Sequence, residues 1–206
     1  MLVHPPPAGS PDARVNAGPA RTRATAGELV HIADRLSRMV RADEQALAHV
    51  LELPAASNRR KDLDAVRARN ETALQGIVTA YGWPAVDPFG SQAAADAVKI
   101  ACHCRDVDFL RTCRDLLRDA VMNKACQVVH FAFVTDRYAV CAGERQIYGT
   151  QINPDTRRPY PVRDREATDD LRAAIGLKPL TAEPTSSLVV ARAAVPVTVL
   201  GAGAWC

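Results

Sequence analysis

The stretch Asp136-Arg137-Tyr138-Ala139-Val140-Cys141-Ala142-Gly143-Glu144-Arg145-Gln146-Ile147-Tyr148-Gly149-Thr150-Gln151 decides how the chain is read, because a turn signal meets a concentration of hydrogen-bonding side chains there. Val140 and Cys141 precede Ala142-Gly143, and Ile147 and Tyr148 follow it, so apolar β-formers flank a turn residue. The spacing predicts a small antiparallel β-hairpin at about 137–149. Strand alternation would put Gln146 and Tyr148 on one face, and Gly149 would let the backbone pass close to whatever sits there.

Immediately upstream, Val128-Val129-His130-Phe131-Ala132-Phe133-Val134 fits a buried strand or a helix with Val129, Ala132, Phe133 and Asp136 on one side. The helix is the preferred reading. Further back the signal is plainly helical. Leu29, Ile32, Leu36, Met39, Val40, Leu47, Val50 and Leu51 recur three or four apart, which predicts one helix over 27–52 ending before Pro54. Asp43 sits on or beside that stripe, either as a boundary residue reaching water or as a polar group facing a site. Ser57 can cap a second helix carrying Leu63, Val66, Leu74, Ile77, Val78 and Tyr81, stopped by Gly82-Trp83-Pro84. Trp83 is expected to be a buried anchor. Asn70 inside this helix is expected to be exposed or to meet a neighbouring chain. A third helix opens at Gly90-Ser91 and runs through Ala93–Ala97, Val98, Ile100, Ala101 and His103, and a fourth spans about Asp106 to Met122. Beyond the hairpin, loops with Pro154, Pro159 and Pro161 lead to a last helix from about Arg165 to Ile175, closed by Gly176 and Pro179.

The fold expected is therefore mainly α: a single-domain helical bundle over residues 25–180 with the small hairpin attached. Residues 1–24, with three consecutive prolines at Pro5–Pro7 and no apolar periodicity, read as a disordered leader. Residues 181–206 read as a loosely attached apolar tail, or a strand pairing elsewhere. Leu188 to Trp205 is apolar, but Arg192, Pro196, Gly201 and Gly203 make it a poor membrane span.

Lys and Arg total 26 against 23 Asp and Glu, a balance that argues against nucleic acid as a partner, whose readers carry a clustered basic face. The absence of a signal-type apolar core in residues 1–25 points to a reducing cytoplasm, so the 6 cysteines are expected as free thiols. Cys102-His103-Cys104 invites a metal reading, but i and i+2 side chains on a helix diverge and no second Cys/His pair follows at finger spacing. No metal and no cofactor is expected. The oligomeric state is left open.

Tyr81-Gly82-Trp83-Pro84, Gly90 before an Ala-rich helix, His103, Asp136-Arg137 and Gln146-Ile147-Tyr148-Gly149-Thr150-Gln151 together resemble a bacterial, actinomycete-rich family known only as a domain of unknown function. The likeness covers about residues 27–180, and Met39 and Asp43 match a recurring Met and Asp. Two positions depart from the family pattern, which has Gln before the His and an acid two after it, where this chain has Cys102 and Arg105. The resemblance implies a site and not a reaction.

At that site His103 is the candidate acid or base, since histidine is the side chain whose ordinary pKa of about 6.5 lies near neutrality. Asp136 is read as catalytic with it, orienting the imidazole. Arg137 is read as holding a carboxylate or phosphate. Gln146, Tyr148, Thr150, Gln151 and Asp43 complete the expected substrate-binding set. An equally available reading of Asp136-Arg137 is a salt bridge pinning the hairpin. No nucleophile elbow, phosphate loop, H-E-x-x-H or dinucleotide fingerprint is present in the sequence. The favoured function is a small cytoplasmic, metal-independent enzyme, hydrolase-like, in which His103 acts on a polar or amide-bearing small molecule or peptide. The alternatives are a non-catalytic small-molecule binding protein and a protein-interaction or accessory module of the immunity type.

Overall fold

A computed structural model describes residues 24–53, 57–154 and 156–180. The leader read at 1–24, apart from its last residue, and the tail at 181–206 lie outside the described residues. Helices α1 (Ala26–Glu52), α2 (Ser57–Tyr81), α3 (Val86–Phe89), α4 (Ser91–Ala101), α5 (Val107–Met122), α6 (Val128–Cys141) and α7 (Arg165–Ala174) follow in order, so the mainly α expectation holds. No described helix is long and apolar enough to cross a membrane.

Thr25 starts α1 through a capping box: its hydroxyl accepts from the Glu28 N–H, and the Glu28 carboxylate accepts from the Thr25 N–H. The α1 stripe then buries Ile32, Leu36, Met39, Val40 and Val50. Cross-helix bonds run in opposite order along α1 and α2: Tyr81 meets Glu28, Asn70 meets Met39, Arg67 meets Asp43 and Arg59 meets Glu52. The two long helices are thus an antiparallel pair. Helix α4 lies along α1 in the same direction, with Asp96 at Ser37 and His103, just beyond its end, at Asp43. Helices α5 and α6 form the second pair, and Leu36, Leu74, Val98, Leu110, Leu117 and Val134 bury fully in the common core. Ser57 is the first residue of α2; the capping expected of its side chain lies outside what is described. Asn70 departs from expectation, since it is buried and donates its amide to the Met39 carbonyl at 3.0 Å.

The β-hairpin at about 137–149 is overturned: the described residues contain no strand, and Asp136 to Cys141 are the last turns of α6. Val129, Ala132, Val134, Thr135, Asp136 and Ala139 bury at helical spacing, and packing against α5 overrides the β-preference of Val140 and Tyr138. Gly143, at φ 72°, does not turn a hairpin but ends the helix. Its N–H bonds the Val140 carbonyl and the Glu144 N–H bonds Ala139, the paired bonds of a Schellman cap. The following segment is held by isolated bridges, Gln146 with Val162 and Ile152 with Pro159, and α7 closes in the same way as α6 with Gly176 at φ 77°.

Trp83 is buried as the anchor between the end of α2 and α3, with its indole N–H beside the Cys126 thiol and short of hydrogen-bonding geometry. Trp83→Ala is expected to cost about 3–5 kcal/mol in chemical denaturation. His130 is buried on α6 with no hydrogen-bond partner for Nδ1, and burial lowers its pKa. The unfolded chain then binds a proton that the folded protein refuses. Stability is accordingly full above the ordinary histidine pKa of about 6.5 and falls as the pH drops below it. Denaturation midpoints measured at about pH 7.5 and about pH 5 are expected to differ more in the wild type than in His130→Leu.

Candidate functional site

Residues 102–106, the turn joining α4 to α5, are gripped from three sides. From α6, Arg137 donates Nε and Nη2 to the Cys104 carbonyl at 2.9 and 2.7 Å, and Cys141 Sγ lies 3.8 Å from the same oxygen. From α2, the Glu71 carboxylate accepts the Arg105 and Asp106 N–H groups at 3.0 and 2.8 Å. From α1, Asp43 Oδ2 lies 3.1 Å from His103 Nδ1, while Arg67 Nε from α2 holds the other carboxylate oxygen at 2.8 Å. Asp106 then caps α5 by accepting the Asp108 and Phe109 N–H groups.

Asp43 is 6% exposed, whereas the His103 side chain keeps 28% of its surface. Burial pushes the Asp43 carboxyl up, but the His103 and Arg67 contacts outweigh it and hold the group below the ordinary carboxylate range. Asp43 is thus the ionised partner of a part-exposed imidazole. A neutral ring that directs Nδ1–H at this carboxylate would carry its free lone pair on Nε2, the atom that can take or deliver a proton.

The residues expected to form one pocket divide into two groups. His103 and Asp43 come together with Arg67. Asp136 does not orient the imidazole: it is fully buried and both oxygens serve residues 147–150, accepting the Ile147, Tyr148 and Thr150 N–H groups and the Thr150 hydroxyl at 2.8 to 3.1 Å. Gln146 is also fully buried and spends its side chain on the loop itself, donating to the Gln151 and Tyr160 carbonyls and accepting the Gln151 N–H. Gln151 donates weakly to the Phe133 carbonyl and lies against the Cys102 thiol. Tyr148 stays half-buried; burial and the nearby Asp136 carboxylate push its phenol up. Gly149, at φ 65°, leaves room for Leu180, whose side chain would stand 2.6 Å from an added Cβ. The D-R and Q-x-Y-G-T-Q elements therefore build a clasp, and Arg137 and Gln151 connect that clasp to the turn bearing His103.

Arg67, Glu71 and Arg172 were missed from the sequence. Arg172 on α7 donates to the Tyr148 carbonyl at 2.9 Å, and Thr168 is buried beside Ile147. For Arg67 a signal exists: Leu63, Arg67, Asn70 and Leu74 share one helical stripe, so polar residues interrupt a buried face. Burial pushes the Cys102 thiol up to about 12 and raises Cys104, Cys113 and Cys126 as well, which leaves these cysteines protonated. Among the described residues, no three His, Cys, Asp or Glu side chains gather so as to hold a metal ion. Two surface depressions, of about 440 Å3 between α1 and α2 and about 330 Å3 beside Gly143 and Tyr160, do not include His103 in their walls.

Removing Asp136 strands three N–H groups, so Asp136→Ala is expected to cost about 3–5 kcal/mol. His103→Ala leaves Asp43 paired with Arg67 and is expected to cost less than Asp136→Ala, which leaves its three N–H groups with no acceptor. Thermal unfolding of the two variants checks the division between clasp and site.

Residues 33–188 match a family of unknown function (DUF6624), and the chain belongs to that family. No curated protein and no solved structure matches.

Proposed function

We propose that this member of a family of unknown function is a small enzyme in which His103 Nε2 acts as general base and acid on a polar or amide-bearing small molecule or peptide. The observation that carries the reading is the Arg67–Asp43–His103 relay: a buried carboxylate fixed by a guanidinium at 2.8 Å and lying 3.1 Å from Nδ1 of a part-exposed imidazole. A carboxylate so placed selects the tautomer and stabilises the imidazolium that forms during proton transfer. The reaction class that fits is hydrolysis. His103 takes a proton from a water that attacks the carbonyl carbon, the C–N or C–O bond breaks, and the same proton passes to the leaving group.

The reading includes a bacterial, cytoplasmic setting and the sequence marks Y-G-W-P, D-R and Q-x-Y-G-T-Q as the supports of the site. A second reading, an interaction or accessory module, is favoured by one observation: Asp136 and Gln146 are buried and satisfied within the clasp, which a purely structural motif requires as well.

The test is a panel of chromogenic amides and esters together with diethyl pyrocarbonate, which acylates neutral imidazole. Turnover is expected to fall by about 10²–10⁴-fold in His103→Gln with the fold retained. Acylation of His103 is expected to depend on Asp43. Turnover surviving in His103→Gln, or a silent panel with acylation unchanged in Asp43→Asn, would overturn the proposal and favour the interaction module.

A further inference from the structure

We infer that the His103 site takes carboxylate-bearing acyl or amide compounds and that Lys99 holds the carboxylate, an inference that rests on His103 being the acid–base group. Arg67 is bound to Asp43 at 2.8 Å, Arg105 to Asp64 at 2.9 Å, and Arg137 spends its fork on the Cys104 carbonyl at 2.9 and 2.7 Å. Lys99 is held differently. Its Nζ stands 3.7 Å from Glu44 Oε1, at the loose end of ion-pair geometry, and the Glu44 side chain is 52% exposed. The pair is loose, with 21% of the Lys99 side chain exposed, so a carboxylate from a ligand can compete with Glu44 for it.

Position supports the same assignment. Lys99 precedes His103 by one turn, and the chain keeps helical-type bonds between them, Cys102 N–H to Val98 and His103 N–H to Ile100. Four residues advance about 6 Å along such a path. Both side chains meet α1, Lys99 at Glu44 and His103 at the adjacent Asp43. A ligand lying along the α1–α4 seam with a carboxylate and a reacting carbonyl one helical turn apart would carry two or three methylenes between them, or one residue at the C-terminus of a peptide. Lysine offers a mobile point charge rather than a planar fork, which suits carboxylates presented at varied angles. The anion-holding part expected of Arg137 falls to Lys99 in this account.

The probes are glutarate and its uncharged analogue glutaramide, titrated into full-length protein while the His103 Nε2 resonance is followed by nitrogen-15 NMR. Glutarate is expected to shift that resonance saturably, to bind about tenfold more weakly to Lys99→Met, and to bind more tightly to Glu44→Gln, where the competitor has lost its charge. Glutaramide is expected to leave the resonance in place. Equal glutarate binding by Lys99→Met, an equal response to glutaramide, or no response to glutarate would each overturn the assignment. Diethyl pyrocarbonate acylation in the same samples separates the two levels. Asp43-dependent acylation with Lys99-independent glutarate binding removes Lys99 alone, whereas loss of the Asp43 dependence removes the acid–base site beneath it.

Discussion

A carboxylate sealed from water must find every hydrogen bond inside the protein, and Asp136 meets that constraint by gathering residues 147–150 around itself. Without it, three backbone N–H groups in a segment with no regular structure would have no acceptor there. Much of the C-terminal part depends on this arrangement. The ordered loop offers the Tyr148 carbonyl to Arg172 and the bare Gly149 surface to Leu180, which bring α7 and the residues after it against the loop. Arg137, the next residue on the same helix, faces the other way and fixes the Cys104 carbonyl. One helical segment therefore organises the clasp and holds the turn that carries His103.

The second buried carboxylate is handled differently. Asp43 sits in the α1 stripe where an apolar residue belongs, and its burial is tolerated because Arg67 and His103 arrive from α2 and from the α4–α5 turn. Antiparallel register between α1 and α2 brings Asn70 and Arg67 to Met39 and Asp43 one turn apart, so the polar seam is a consequence of helix packing. Two parts of the seam reach solvent, the imidazole with 28% of its side-chain surface exposed and Arg67 with 23%. This partial exposure distinguishes Asp43–His103 from the closed Asp136 cluster.

The helices were legible because their apolar positions recur at helical spacing, and Gly82, with Trp83 and Pro84, reads correctly as a stop. The hairpin was misread for a definable reason. Glycine at φ > 0 serves hairpin turns and helix caps alike, and only the non-local packing of α6 on α5 decides between them for Val140-Cys141-Ala142-Gly143. His103 lies past the helix expected to bear it, in the turn after α4. The partner of His103 was beyond sequence reasoning, since nothing local distinguishes Asp43, 60 positions upstream and on another helix, from Asp136. Arg67 is only partly legible: it interrupts the Leu63–Leu74 stripe, but a charged residue on a helix is ordinarily read as solvated.

The central claim is that Asp43 fixes the His103 tautomer and leaves Nε2 free. Long-range proton–nitrogen correlation of the imidazole at a pH where it is neutral tests this directly. The account predicts a protonated Nδ1 and an unprotonated Nε2 in the wild type, with the preference lost in Asp43→Asn. A wild-type ring protonated on Nε2, or a tautomer indifferent to Asp43, would contradict it.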